Sequence, residues 1–328
     1  MGIDIGTSSI RVIQLGRRGK DLHLENYGEV KTTSRQKDVL LFSNQELAGA
    51  ITAILREAGI KSKEVNFSIP DFSSFFTSFE LPPMSETELE NAVRYEARSY
   101  VPLPLSDITL DWQVVGDGRI LVAAIPNVVI EQYQDIASFA GLEVRALEAE
   151  VFALSRPLAK KEAKTTAVID IGARSTTCNI FEKGSLKTSH SFNVSGNELT
   201  EILSKSLKVA YEKAEELKKK AGLSGLTEEE KDVRAILLPL VDVILAETKK
   251  TFKNLRQQDG ANVQKIILAG GSALMPGLKE YFLEEMGKEI EIANPFSGIF
   301  FPPILSETLK EMGPRYSIAV GLAMKGLE

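Results

Sequence analysis

The stretch Val168–Phe181 reads VIDIGARSTTCNIF and contains the pattern that decides the fold. Its first residues look like a buried strand that carries the charge of Asp170 and ends before Gly172. Small and polar residues follow before an apolar stretch resumes, so we expect a strand, a tight turn and a second strand. A glycine turn exposes backbone N–H groups that can hold phosphate oxygens, and a carboxylate beside it suits a hydrated Mg²⁺. Taken alone, the pattern also fits an ordinary hairpin.

The same unit occurs at the N-terminus, where Gly2–Val12 reads GIDIGTSSIRV. Asp4 and Gly6 take the places that Asp170 and Gly172 occupy in the other unit. A repeat at a spacing near half of the chain predicts duplicated domains whose two hairpins face each other across one ligand.

The composition excludes several classes of protein. The 328 residues suffice for two or more domains, and 43% hydrophobic with 26% charged residues is ordinary for a soluble globular protein. A net charge of −6 argues against nucleic-acid binding. The single Cys178 excludes an internal disulfide and is expected to be buried, while His23 and His190 are too few and scattered for a metal cluster. We expect no membrane span and no signal peptide.

The first half of the chain divides into two patterns. Three strands, a helix and a fourth strand are predicted before residue 72, and the capping box at Ser43–Glu46 begins that helix. Residues 72–150 read as a compact α+β insert with the order β-α-β-β-α-β. Its central hairpin is expected to turn at Gly116-Asp117-Gly118.

Two features of the second half add to the phosphate turns. Leu268–Ser272 predicts a strand that runs into a Gly270-Gly271 turn, where missing side chains let a ring or ribose approach the backbone. An ordinary β–α turn has the same pattern. A long helix is predicted from Thr227 to about Gln258, and its Pro239 should kink or break it.

Glu215 and Lys218 lie on one face of a predicted helix at i, i+3. This pair fits a solvated ion pair, and in a nucleotide site it also fits contacts with ribose hydroxyls and the adenine edge. A helix of small residues at Ala319–Ala323 is suited to tight packing at an interdomain hinge.

In this order the motifs resemble the actin/Hsp70/sugar-kinase superfamily over essentially the whole chain. The resemblance rests on two phosphate loops, two connecting helices and an adenosine loop. These are Asp4–Ser9, about Glu150–Leu158, Asp170–Thr176, Gly270–Ser272 and about Ile318–Ala323.

Within that superfamily the insert resembles that of the cell-division protein FtsA, and the chain more closely resembles the PilM family of type IV pilus assembly proteins. The segments that carry the closer resemblance are Phe79-Glu80-Leu81-Pro82, Ala92–Ala97, Val101-Pro102-Leu103-Pro104, Ala269–Ala273 and Ala293-Asn294-Pro295-Phe296. The implied fold is α/β, with actin/Hsp70-like duplicated nucleotide-binding domains and an FtsA-type α+β insert.

The resemblance implies the following division of the chain. The first actin-like domain comprises residues 1–71, and the insert comprises residues 72–150. A connecting helix and linker follow at 151–164. The second actin-like domain comprises residues 165–194 and 263–328, including the return helix, and is interrupted by a helical subdomain at 195–262.

The resemblance also implies roles for individual residues in binding ATP or ADP with Mg²⁺. Asp4 and Asp170 would face the metal through water, and Glu148 or Glu150 would orient an attacking water, although either also fits a simple helix start. Arg174 is expected to contact phosphate or to face solvent. The implied nucleotide-binding residues are Asp4, Gly6, Thr7, Ser8, Ser9, Asp170, Gly172, Ala173, Arg174, Ser175, Glu215, Lys218, Gly270, Gly271 and Ser272.

Members of this family are implied to bind ATP and to grip the cytoplasmic N-terminal peptide of a PilN-like inner-membrane protein. Phe72, Phe75 and Phe76 are candidates for the peptide groove, although core positions are equally open to them. We expect a cytoplasmic protein recruited to the inner face of the membrane, at most slow ATP hydrolysis, and self-association as a further option. The alternatives are an FtsA-like division protein, which needs a C-terminal membrane helix, and a small-molecule kinase of the same superfamily.

Overall fold

The computed structural model describes residues 1–31, 42–115 and 118–328. A first lobe is built on a six-stranded sheet with the order β14-β3-β2-β1-β4-β8. Its strands are β1 (Gly2–Ile5), β2 (Ser9–Arg18), β3 (Asp21–Lys31), β4 (Glu64–Ile69), β8 (Glu143–Ala149) and β14 (Ile299–Phe300). β1, β2 and β3 form an antiparallel meander, while β4 pairs parallel to β1 and β8 parallel to β4.

A second lobe repeats this topology in a five-stranded sheet with the order β11-β10-β9-β12-β13. Its strands are β9 (Thr166–Ile171), β10 (Thr176–Glu182), β11 (Ser185–Phe192), β12 (Lys265–Ala269) and β13 (Glu289–Ile292). Again three strands form an antiparallel meander and two more extend the sheet in parallel. The predicted duplicated α/β fold is therefore confirmed.

Nine helices of at least nine residues lie in the described ranges, eight in the two lobes and one in the insert. They are α1 (Asn44–Glu57), α2 (Glu86–Ala97), α3 (Asn127–Ala140), α4 (Glu150–Leu158), α5 (Gly196–Leu207), α6 (Tyr211–Lys220), α7 (Glu228–Asp259), α8 (Leu278–Met286) and α9 (Ser306–Lys325). The predicted capping box at Ser43 is present, with the Glu46 N–H donating to the Ser43 side chain. α7 continues through Pro239, so the predicted break of the helix is wrong. A proline costs a helix one hydrogen bond, and buried neighbours such as Leu237 and Val241 stabilise the helix around it.

The insert is smaller than predicted. Its three-stranded sheet has the order β5-β7-β6, with β5 (Phe75–Glu80), β6 (Ile108–Val115), β7 (Arg119–Pro126) and the helix α2. The predicted last helix and strand of the insert, α3 and β8, instead belong to the first lobe. Tyr133 and Ile136 of α3 share a core with Ile51 of α1, and β8 pairs with β4. Of the predicted hairpin turn, residues 116 and 117 lie outside the described residues.

α4 and α9 join the two lobes and cross in close contact. A Cβ added at Gly321 of α9 would lie 1.8 Å from the backbone oxygen of Ala153 in α4. One at Gly2 of β1 would lie 2.3 Å from the Ala319 oxygen. The predicted tight packing of this small-residue segment is confirmed. No helix in the described ranges is both long and apolar enough to traverse a bilayer.

Candidate functional site

The two predicted phosphate loops have the same backbone geometry. The Gly6 N–H donates to the Ser9 oxygen at 3.1 Å, and the Gly172 N–H donates to the Ser175 oxygen at 3.0 Å. A Cβ at Gly172 would lie 3.0 Å from the same Ser175 oxygen, so a side chain there would require the turn to shift by a few tenths of an ångström. Both loops therefore close into matching turns at the ends of β1 and β9.

The aspartates before these turns lie close enough for their charges to interact, with Asp4 buried and Asp170 half-buried. Burial raises the pKa of Asp170 to about 6, and the negative charge of Asp4 contributes in the same direction. Burial also raises the pKa of Asp4, against the opposing effect of Arg11. The structure thus brings together the two residues that the repeat predicted to face one ligand.

Arg11 is part of this site and was missed from the sequence. Asp4, Arg11 and Glu29 lie in one row across β1, β2 and β3. The Arg11 Nη1 is 3.1 Å from the Asp4 Oδ2, and its Nε is 3.1 Å from the Glu29 Oε1. The Ser68 hydroxyl donates to the other Asp4 oxygen at 2.9 Å. An arginine inside an otherwise apolar strand was the signal that could have found it.

The two candidates for the water-orienting carboxylate lie in different surroundings. Glu148 forms a bidentate ion pair with Arg156, with both N–O distances 2.6 Å, and Lys325 lies 3.4 Å away. Burial, followed by the charges of Asp71, Asp4 and Asp170, raises the pKa of Glu150 well above its ordinary value. Glu150, and not Glu148, therefore lies with the aspartates.

Asp71 is a second residue that sequence reasoning missed. Its backbone N–H donates to the Glu150 carboxylate at 3.2 Å, and its own carboxylate accepts from the Val151 N–H at 3.2 Å. Burial raises the pKa of Asp71 to about 7, against the Val151 hydrogen bond and with help from Asp170. A carboxylate just beyond the carboxyl end of β4, a strand parallel to β1, was the available signal.

The glycine turn of the second lobe packs directly against this carboxylate group. Gly270 has φ +86°, and a Cβ there would lie 2.3 Å from the Asp170 Oδ1. The Gly270 N–H donates to the Pro314 oxygen at 3.0 Å, and the Ser272 N–H to the Ile171 oxygen at 3.4 Å. Only glycine suits this position, because its conformation and its space both exclude a side chain.

Lys218 is held inside the protein by all of its donors. Its Nζ contacts the Glu215 carboxylate at 2.7 Å, the Thr200 hydroxyl at 2.7 Å and the Gly196 oxygen at 2.8 Å. Burial lowers the pKa of Lys218, which the charge of Glu215 partly offsets. For Glu215, burial is outweighed by Lys218, so that its pKa is lowered. The pair thus joins α5 to α6 beside the glycine turn.

The start of α5 brings these loops together. The Gly196 N–H donates to the Gly172 oxygen at 2.8 Å, and the Asn197 N–H donates to the Ala173 oxygen at 3.1 Å. A Cβ at Gly196 would lie 2.7 Å from the Ser272 hydroxyl oxygen. One glycine therefore contacts the second phosphate loop and the glycine turn at once.

The remaining predicted residues differ in accessibility. Ser8 and Arg174 are exposed, whereas the other loop residues Thr7, Ala173 and Ser175 are half-buried. Ser9 is buried, and its hydroxyl has no hydrogen-bond partner within the part of the chain that the structure describes. An unsatisfied hydroxyl at the base of the first loop fits a site that takes a polar ligand.

The family of the chain follows from a comparison with known sequences. The model of the type IV pilus assembly protein PilM matches residues 2–327. The chain belongs to the PilM family. A solved PilM–PilN type IV pilus biogenesis complex is similar with a TM-score of 0.87 at 25% identity, over 100% of this chain and 98% of that one. The predicted family is therefore confirmed.

More distant relatives share the fold. FtsA of Streptococcus pneumoniae is 24% identical over 343 residues, which cover 90% of this chain and 75% of FtsA. MreB5 of Spiroplasma citri, crystallised with AMPPNP, is 14% identical with a TM-score of 0.52, over 100% of this chain and 95% of that one. These likenesses agree with the actin-like architecture, and the family match favours pilus assembly over cell division.

Proposed function

We propose that the chain binds ATP or ADP in the cleft between its lobes and grips a PilN-like membrane protein of the type IV pilus platform. Nucleotide binding is supported by the matching turns at Gly6 and Gly172, each preceded by an aspartate, and by the interaction between the charges of the two aspartates. Family membership and the likeness to the PilM–PilN complex support the partner.

The backbone N–H groups of the two turns are the proposed phosphate donors. They belong to Thr7, Ser8, Ala173 and Arg174, because the N–H groups of Gly6 and Gly172 already close the turns. Mg²⁺, when bound, supplies positive charge that offsets the aspartates, and Asp4 and Asp170 are proposed to hold it through water.

The glycine turn of the second lobe is the proposed adenosine site. No described atom lies within 4 Å of the position that a Cβ would take at Gly271, so a flat ring can approach the backbone there. Glu215 is the proposed hydroxyl acceptor at the same site, and Lys218 holds it in place. MreB5, whose crystals contain AMPPNP, shares this fold.

Hydrolysis is proposed to be slow at most. Glu150 is the proposed water-orienting residue, because it lies with Asp4, Asp71 and Asp170. Burial and the charges of Asp71 and Asp4 raise its pKa, which favours the protonated form more than in an ordinary glutamate, and that form cannot accept a proton from water. The nucleotide then acts mainly to stabilise closure of the lobes.

The partner peptide is proposed to bind in the groove between the first lobe and the insert. β5 is an edge strand of the insert, and an extended peptide can add to such an edge by backbone pairing. Phe75 on β5 is exposed, whereas Phe76 packs against Phe152 with ring centroids 6.2 Å apart. The side chain of Phe72 lies outside the described residues. Phe75 is therefore the proposed contact for an apolar peptide side chain.

Fluorescence anisotropy with a labelled N-terminal peptide of a PilN-like protein tests the partner. We expect micromolar binding to the wild type, and a loss of about tenfold or more in Phe75→Asp. Phe139→Asp is the matched control, because Phe139 is an exposed aromatic residue on α3, outside the proposed groove. Equal losses in both variants, or no binding to the wild type, would contradict the groove. Such a partner would place the protein at the cytoplasmic face of the membrane.

A further inference from the structure

An exposed apolar segment lies where the chain returns to the first lobe. We call residues 300–304, with the sequence FFPPI, the apolar tip. Phe300 is 56% exposed and Ile304 is 88% exposed, and Pro302 and Pro303 between them are exposed as well. Scattered apolar residues are normal on a protein surface, but a consecutive run of this kind is not.

The apolar tip is held outward by the fold. β14 pairs with β3, which places Phe300 opposite His23, and their rings stack with centroids 5.1 Å apart. Phe301 and Leu305 pack into the core under α9. These anchors on both sides keep Phe300 and Ile304 at the surface.

A group of cations lies beside the apolar tip. We call Arg17, Arg18, Gly19 and Lys20, which join β2 to β3, the basic turn. The strand register places Ile299 opposite Leu22 and Leu22 opposite Arg17. The backbone of Arg17 is therefore about two strand spacings, about 10 Å, from that of Ile299, the residue directly before the apolar tip.

The charges of the basic turn are not neutralised by ion pairs. Arg17, Arg18 and Lys20 are exposed, and within the described ranges none of them lies within 4.0 Å of a carboxylate oxygen. Arg17 donates to the Leu327 oxygen at 2.7 Å, which leaves its charge in place. With the adjacent Asp21, the turn carries net positive charge on a chain whose net charge is −6.

We propose that this corner docks on an anionic lipid surface. Phe300 and Ile304 enter the interfacial region of the bilayer, and the basic turn meets the lipid phosphates. The apolar tip follows β14 at one edge of the first sheet, whereas Phe76 of the insert contacts Phe152 of α4, the helix that follows β8 at the other edge, so the lipid contact is separate from the proposed peptide groove. A few such residues bind weakly alone, and a membrane-anchored partner would raise their effective concentration at the bilayer.

Flotation with the full chain and no partner tests the lipid contact by itself. The probes are vesicles of phosphatidylethanolamine with phosphatidylglycerol, compared with vesicles of phosphatidylcholine. We expect flotation with the anionic vesicles only, weakened by salt, and reduced about tenfold or more by Ile304→Glu. A second variant, Arg18→Glu with Lys20→Glu, should lose the preference for anionic lipid.

Leu226→Glu is the matched control, because Leu226 is 84% exposed and lies in the second lobe. It should float like the wild type. Equal binding to neutral vesicles, or no effect of Ile304→Glu, would overturn the proposal. The proposal would also be overturned if the wild type did not float but self-associated in sedimentation velocity, and if Ile304→Glu abolished that association. The tip would then be a contact between copies of the chain.

Discussion

The crossing of α4 and α9 gives a sharp test of how the lobes are joined. Gly321→Ala adds a methyl group that would lie 1.8 Å from the Ala153 oxygen and 2.6 Å from its carbonyl carbon. Both atoms are backbone, so no side chain can turn aside to make room. The two helices must separate by about 1.5 Å before the new contact becomes an ordinary one, and overpacking of this kind costs about 1–3 kcal/mol.

The expected net effect is smaller than this cost. Alanine is favoured over glycine within a helix by about 1 kcal/mol, which offsets part of the strain. We therefore expect Gly321→Ala to lower the free energy of unfolding by up to about 2 kcal/mol. Urea unfolding followed by circular dichroism measures the change, which should appear as a lower midpoint with an unchanged slope.

Gly49→Ala is the matched control. Gly49 lies within α1, is exposed, and has no described atom within 4 Å of the position that a Cβ would take. The same chemical change should there raise the free energy of unfolding by about 0.5–1 kcal/mol. If Gly321→Ala were as stable as Gly49→Ala, the close crossing of the connecting helices would be wrong.

Three further changes test the site. Burial raises the pKa of Asp71 from 3.8 to about 7, so the folded state retains a proton that the unfolded chain has lost. The contribution of this protonated carboxyl to stability is greatest below about pH 4 and is lost as the pH rises to about 7. The melting temperature should therefore fall between pH 5 and pH 8, and Asp71→Asn should make that fall smaller. Gly270→Ala should destabilise the fold in thermal unfolding, whereas Gly271→Ala should keep the melting temperature and weaken Mg²⁺-ATP binding in calorimetry, because only the former meets protein atoms. Glu148→Gln should lower the free energy of unfolding by about 3 kcal/mol in urea titrations, because it leaves the largely buried Arg156 without its bidentate partner. An unchanged pH profile in Asp71→Asn would contradict the first expectation. Equal ATP affinity of Gly271→Ala and the wild type would contradict the second, and an unchanged unfolding midpoint of Glu148→Gln would contradict the third.

Local sequence signals predicted the parts of the fold that depend on neighbouring residues. The glycine turns at Gly6 and Gly172 and the helix start at Ser43 are set within a few positions, so their patterns are readable. The extent of the insert was not readable in this way. α3 and β8 follow the insert directly in sequence, but β8 pairs with β4, more than seventy positions earlier.

Two residues of the candidate site could be predicted because they lie in the repeated sequence unit. Asp4 and Asp170 were found because each precedes a glycine turn. Arg11 and Asp71 were missed because their roles depend on strand pairing and on a contact with a distant helix. The choice between Glu148 and Glu150 depends on which neighbour each side chain meets across the hinge, and no spacing rule supplies that information.

Calorimetric titration of the wild-type chain with a PilN-like N-terminal peptide, in the presence and absence of Mg²⁺-ATP, tests the central claim most directly. The account predicts micromolar peptide binding in at least one state and separate, saturable binding of Mg²⁺-ATP. Any change that nucleotide makes in peptide affinity should be matched by an equal change that peptide makes in nucleotide affinity. A chain that binds neither ligand would contradict the account. Rapid steady turnover of ATP would contradict the proposal that the nucleotide acts mainly to stabilise closure of the lobes.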